Sequence, residues 1–207
     1  MTKKVQVDYS DENITKLKYT YESEETLSQV PEFLIEKENY FINKKAKYLS
    51  ITGGNPELFK GIDSSKIKAA NVANGIAFKD FSEKLMSNYT SWCVIGAATK
   101  AWAAKVFPDL DEDEAKLKLW EEIFYTVRLF DDDPVESMNK HIENLDKYAE
   151  FLNKNNFRYL HYKSKKGTDL IVELPKDYIF VGSEEKNSFG EDFVANVPSE
   201  EVFFSTS

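Results

Sequence analysis

Near the C-terminal end, Glu200-Glu201 is the side-chain pair whose type and setting most suggest chemistry. Two adjacent carboxylates repel each other and desolvate poorly, so a strand-borne pair between apolar neighbours calls for a cation. Here Asn196-Val197-Pro198-Ser199 precedes the pair and Val202-Phe203-Phe204 follows it. If the segment is extended, the two side chains point to opposite faces. One would then face a given metal ion, while the other serves a neighbouring role or an ion pair. Taken alone, the plainer reading is an exposed acidic pair, because acidic residues lie mostly at the surface.

Other chemistries find less support. His141 and His161 stand in different kinds of element, and neither has the i, i+4 companion that places two imidazoles on one helix face. Cys93 lies inside the apolar run Trp92-Cys93-Val94-Ile95, where a thiol behaves as a small hydrophobe. Gly53-Gly54 stands alone, with no Walker loop, dinucleotide turn or Gly-x-Ser-x-Gly elbow around it. Asp131-Asp132-Asp133-Pro134 could ligate a hard cation, but an acidic turn capping a helix that opens on proline accounts for it. Trp92, Trp102 and Trp120 are read as core.

The elements that must position these residues follow from periodicity. Lys3–Asp8 alternates like a short strand, beginning in mid-pattern, and a polar stretch runs from there to Gln29. Pro31–Lys44 is expected to be helical, Lys47–Thr52 a strand ending at Gly53-Gly54-Asn55-Pro56, and Asp63 or Ser64 the cap of one long helix reaching Met86. Trp92–Gly96 has the continuous apolar character of a buried parallel strand. This alternation predicts an α/β layer with a parallel sheet. A short helix over Ala98–Val106 comes next. A helical hairpin should follow, one arm carrying Leu119, Trp120, Ile123, Phe124 and Val127, the other Met138, Ile142, Leu145, Ala149 and Leu152. From Phe157 the period changes to two, predicting antiparallel strands at 157–162, 168–174 and 178–181, with Val202-Phe203-Phe204 as the last element. The expected organisation is an α/β domain over 1–155 with a helical hairpin, then a β-rich portion over 156–207.

Composition bounds the function classes. The chain has 207 residues, 42% hydrophobic and 14% aromatic, which is too apolar for a disordered polymer. Its 27 basic against 36 acidic residues leave a net charge of -9, which opposes general binding to nucleic acid or anionic membranes. One cysteine cannot form an internal disulfide, and no apolar run follows a basic start, so the expected compartment is the reducing cytoplasm.

Asn196-Val197-Pro198-Ser199-Glu200-Glu201-Val202-Phe203 resembles the Asn-x-Pro-Thr-Glu-Glu-Val-Phe signature of the metalloaminopeptidase family of aminopeptidase T, aminopeptidase S and PepS. Further segments resemble that family in the same order: Ala98–Ala103 with Val106-Phe107-Pro108, Leu119–Phe124, Asp133-Pro134-Val135, His141, Leu152-Asn153, Gly167–Leu170 and Gly190–Phe193. The likeness runs from about residue 46 to 204. Ser199 replaces the usual threonine and keeps its hydroxyl, whereas Phe204 replaces a second threonine and does not.

The resemblance implies a cytoplasmic, homodimeric exopeptidase that removes N-terminal amino acids from peptides with two divalent metal ions, zinc or cobalt. It also implies that Glu200 or Glu201 is a metal ligand, that 1–155 is an N-terminal domain lacking its first segment, and that 156–207 opens the catalytic, metal-binding domain. Family members are about twice as long, with their other site residues beyond the signature. The chain is therefore expected to be incomplete and inactive by itself. The alternative is a non-catalytic interaction or dimerisation scaffold derived from the family.

Overall fold

The computed structural model describes residues 4–198. In chain order they form α1 (Glu12–Tyr21), α2 (Glu24–Leu27), α3 (Glu32–Asn43), β1 (Tyr48–Thr52), α4 (Ser64–Ala77), α5 (Lys79–Met86), β2 (Trp92–Gly96) and α6 (Lys100–Val106). There follow α7 (Glu112–Thr126), α8 (Pro134–Asn155), β3 (Tyr159–Lys163), β4 (Asp169–Glu173), β5 (Glu184–Lys186), β6 (Asp192–Val194) and β7 (Asn196–Val197). The result is a mixed α/β fold with a small parallel sheet and flanking helices. Val202-Phe203-Phe204, the expected last element, lies outside the described residues.

The parallel sheet has the strand order β1-β2-β7. β1 and β2 pair in register from Tyr48↔Trp92 to Thr52↔Gly96, and α4 and α5 form the crossover that parallel pairing requires. At the carboxyl ends of these strands two loops are clasped together. The Ala97 N–H donates to Thr52 O at 2.6 Å, and Thr99 Oγ1 donates to Gly53 O at 2.5 Å. Gly53 has to be glycine there, since a Cβ at this position would overlap the Ala97 carbonyl oxygen.

Several sequence expectations are corrected. Residues 4–8 are not a strand, because among the described residues they find no neighbouring strand to bond. The polar stretch that follows is helical. Asp11 caps α1 by accepting from the Asn13 and Ile14 N–H groups at 2.7 and 3.1 Å, and Ser23 caps α2 by accepting from Thr26 N–H at 3.1 Å. The helix expected to reach Met86 breaks at Phe78, whose ψ of 17° ends α4 just after the weak helix formers Asn74-Gly75. The break brings Phe81 of α5 edge-on to Tyr48 of β1, with ring centroids 5.4 Å apart.

α6 and α7 form a pairing that the apolar stripes did not predict. α7 packs on α6, where Ala103 and Ala115 are fully buried beside Ala98 and Leu119, and Trp102, Phe107, Trp120 and Ile123 close around them. Small side chains let the two helices approach closely, and Lys100 bridges Glu112 and Asp113 at 2.9 Å each across the corner. Trp102 and Trp120 are thus core, as expected. α8 buries no residue fully.

β3 and β4 pair antiparallel from Tyr159↔Glu173 to Lys163↔Asp169, as their alternation predicts. The strand expected at 178–181 is absent. The Asn153 side-chain amide takes up both backbone groups of Phe180 instead: Nδ2 donates to Phe180 O, and Phe180 N–H donates to Oδ1, each at 2.8 Å. β5 and β6 form a second antiparallel hairpin, after which the chain returns to the parallel sheet as β7.

Two glycine substitutions separate close approach from open space. Gly53→Ala should destabilise the protein by about 1–3 kcal/mol, because backbone must shift to admit the methyl group. Gly75→Ala, where nothing lies within 4 Å, should stabilise it by about 0.4–1 kcal/mol. Urea unfolding of both variants tests this; equal effects would contradict the clasped-loop geometry.

Candidate functional site

β7 carries the opening of the signature segment. Val94 N–H donates to Ala195 O at 2.8 Å, and the register Val94↔Asn196, Ile95↔Val197 lays β7 parallel to β2. The chain passes Pro198 and then leaves the described residues, so Glu200 and Glu201 lie outside them. What can be followed is the apparatus that delivers the chain to that point.

At its centre is Asn187, a buried residue in the turn between β5 and β6. Its Nδ2 donates to Ser91 Oγ at 2.9 Å and to Glu191 Oε2 at 2.7 Å. Its Oδ1 accepts from the N–H groups of Phe189 at 2.9 Å and Glu191 at 3.0 Å. Both amide protons and both oxygen lone pairs are used, which burial of such a group demands. Gly190 supplies the left-handed residue of the turn, with φ 79°.

A second asparagine meets the first from the loop between α5 and β2. Asn88, at φ 56°, accepts from Ser188 N–H through its backbone oxygen at 2.9 Å. Its Nδ2 donates to the Glu185 carboxylate, and its Oδ1 accepts from Trp92 Nε1 at 3.1 Å. Around this pair, Tyr89 meets Phe189 edge-on and Lys45 Nζ sits 3.8 Å above the Phe189 ring centroid. Lys47 bonds Glu191 at 2.9 Å. Lys47, followed by Asn187, holds the Glu191 carboxyl below its ordinary value of 4.5, against a smaller opposing effect of desolvation.

The other residues singled out from the sequence fall elsewhere. His161 on β3 pairs with Asp169 on β4 at 2.5 Å, and His141 lies half-buried on α8. Cys93 is half-buried in β2, where desolvation pushes its thiol pKa up, away from a reactive thiolate. Asp133 accepts from Glu136 N–H at 2.9 Å and caps α8, as expected of it. Trp92 is tied to Asn88 rather than enclosed in the α6–α7 core. Among the described residues, no three or more His, Cys, Asp or Glu side chains are grouped to hold a metal ion. Sequence reasoning missed Asn187 and Asn88. The available signal was turn chemistry, in the runs Asn187-Ser188-Phe189-Gly190 and Ser87-Asn88.

The family model for thermophilic metalloprotease (M29) matches residues 1–207. The chain belongs to the M29 family. It is 38% identical over 201 residues to aminopeptidase AmpS of Bacillus subtilis (strain 168), a match covering 97% of this chain and 49% of AmpS. Aminopeptidase PepS of Streptococcus thermophilus is 36% identical over 198 residues, covering 95% of this chain and 48% of PepS. Among solved structures, wild-type AmpT from Thermus thermophilus superposes with a TM-score of 0.82 at 30% identity, covering 93% of this chain and 47% of that chain. The M29 chain described here thus spans about half the length of the curated relatives it matches.

Removing the Asn187 amide leaves the Glu191 carboxylate, Ser91 and two backbone N–H groups short of a partner. Asn187→Ala should therefore cost about 1–3 kcal/mol and speed amide exchange across 184–194, measured by hydrogen-exchange mass spectrometry; unchanged exchange would refute the role. Acidification should act on the same contact. The folded pKa of Glu191 is lowered, so its contribution is complete above 4.5 and is lost as pH falls through the lower folded value. The thermal midpoint difference between wild type and Lys47→Gln should accordingly shrink below that range. A pH-independent difference would contradict it.

Proposed function

We propose that this chain carries part of a metal-dependent aminopeptidase that releases N-terminal amino acids from peptides. The observation that carries the reading is the family match along the whole of residues 1–207, with relatives named as aminopeptidases. In this reading Glu200 or Glu201 is a ligand to one of two divalent ions, zinc or cobalt. Residues 1–155 form the N-terminal domain and 156–207 open the catalytic portion. Bound divalent ions would supply a polarised peptide carbonyl and an activated water. The chain's own contribution is positional: β7 starts the signature from the edge of the parallel sheet, and the Asn187 turn fixes where β7 begins. The reading extends to a cytoplasmic homodimer.

One or two carboxylates hold a divalent ion weakly compared with a full ligand set. The chain alone should bind zinc or cobalt weakly by titration calorimetry, and the double variant Glu200→Ala, Glu201→Ala should remove that binding. It should release no leucine from leucyl peptides with either metal added. Equal metal binding by wild type and the double variant would overturn the ligand assignment. Turnover that the double variant abolishes would overturn the expected inactivity of the chain alone.

A further inference from the structure

α1 rests on the molecule by its more polar side. Its half-buried residues are Glu12, Thr15 and Tyr19, which share one face at helical spacing, while Ile14, Leu17 and Tyr21 are 67%, 55% and 80% exposed. α1 buries no residue fully, and among the described residues it packs closely on no other helix or strand. α2, next in the chain, differs: it buries Leu27 and packs on α4. Apolar burial is therefore not what holds α1 in place.

Two charged side chains hold it, one at each end. In the first turn Glu12 accepts from the Asn55 N–H at 2.6 Å. At the other end Lys66 of α4 donates from Nζ to Tyr19 O at 3.1 Å and to Thr20 O at 3.0 Å, where the helix dipole favours a cation. Between these contacts the Tyr19 ring meets Phe59 edge-on, with centroids 4.9 Å apart. Thr15 adds nothing across the interface, because its hydroxyl donates to Asp11 O of its own turn. Ahead of α1, Asp8–Lys37 is an exposed ion pair, which is a weak tether. Behind it the chain becomes extended at Glu22, with ψ 149°, and is fixed again at Ser23, the cap of α2.

What α1 covers is the loop that leaves the carboxyl end of β1, where Asn55 and Phe59 lie. β1, β2 and β7 run parallel, so Pro198 leaves the sheet at this same end. Ligands of parallel α/β sheets bind outside the carboxyl ends of the strands. A helix of 10 residues is marginal by itself in water, so α1 keeps little helix once its end contacts release. We propose that residues 9–21 form a lid over the carboxyl end of the parallel sheet, latched by Glu12 and Lys66 and opening as one unit about Glu22. Opening bares the Asn55 N–H and the Phe59 ring.

Amide hydrogen exchange of the full chain, read by NMR, tests the lid. The amides of Lys16–Tyr21 should share one protection level, roughly tenfold or more below that of α7, as a locally opening unit does. Lys66→Met keeps the aliphatic stem and removes both carbonyl contacts. It should speed exchange at Lys16–Tyr21 by roughly tenfold and leave α7 unchanged. It should also speed exchange of the Asn55 amide, which is bonded at the opposite end of α1, by the same factor. Glu12→Ala is the second variant and should speed exchange at Lys16–Tyr21 in the same way. Trypsin cleavage after Lys16 and Lys18 under native conditions should rise in proportion in both variants, because such cleavage tracks the open population. The proposal is overturned if α1 is as protected as α7, or if protection grades from one end of α1 to the other, which is fraying. It is equally overturned if Lys66→Met leaves Asn55 untouched or speeds exchange throughout the chain. No metal or substrate enters these readouts, so their failure leaves the aminopeptidase reading standing, and the reverse holds too.

Discussion

Burial of one side-chain amide, that of Asn187, constrains the position of the last described strand. A primary amide removed from water has to find partners for two protons and two lone pairs, and an unmet group costs about 1–3 kcal/mol. Asn187 meets all of them at once only when Ser91 of the parallel-sheet region and Glu191 of its own turn are both in place. β7 needs that help. It has two residues, pairs in parallel, and returns to β2 after an excursion from Gly96 to Asn196. Closing so long a loop has an entropic cost that two parallel pairs do little to offset. The Asn187 turn, with the Lys47–Glu191 ion pair and the Phe189 contacts, delivers the chain to β2 already oriented.

The receiving side is equally fixed. Thr90 is fully buried, and its hydroxyl donates to Ala46 O at 3.0 Å, joining the loop before β1 to the loop before β2. Ser91, next in sequence, accepts from Tyr48 N–H through its backbone oxygen and from Asn187 through its hydroxyl. One dipeptide therefore sets the β1–β2 register and receives the later hairpin. At the opposite end of the strands, the Gly53–Ala97–Thr99 clasp holds the outgoing loops, and α6 starts from Thr99 itself. Anchoring at both ends leaves little freedom for β2 to slide, and β7 inherits that register.

What the sequence disclosed divides along physical lines. β2 was legible to the residue, because a continuous apolar run between turn formers has few alternatives. β1, β3 and β4 were legible for their alternation. α1 and α2 were missed because their surface is largely polar and no residue of α1 is buried; only the caps Asp11 and Ser23 announce them. The α6–α7 pairing was hidden by a preference for large residues, whereas the contact is built on alanines, whose burial no apolar stripe reveals. Tyr178–Val181 has a strand's pattern but takes its bonds from an asparagine on α8, a substitution of side chain for strand that periodicity cannot foresee. As for the site, the signature was read from residue types, while the network delivering it depends on Asn187, Asn88 and Ser91, which composition alone marks only as turn formers.

Cover over the parallel sheet is uneven across its width. Every residue of β2 is half-buried, while four of the five residues of β1 are exposed. The difference follows from where each strand's neighbours come from in sequence. β2 has a parallel partner on each side, one contributed by the opening half of the chain and one by its far end. Among the described residues, β1 has a strand partner on one side, together with the ring of Phe81 against Tyr48. Apolar groups on β1 thus contribute little transfer free energy as they stand, at roughly 25 cal/mol per Å² of surface removed from water, and the stability of this edge comes chiefly from its ladder to β2. A net charge of -9 works against the association that such an edge invites, because like-charged chains repel before their apolar strands can meet. The fold is accordingly held from the β2–β7 side, where the buried Asn187 amide sits, and it is from that side that the signature segment departs.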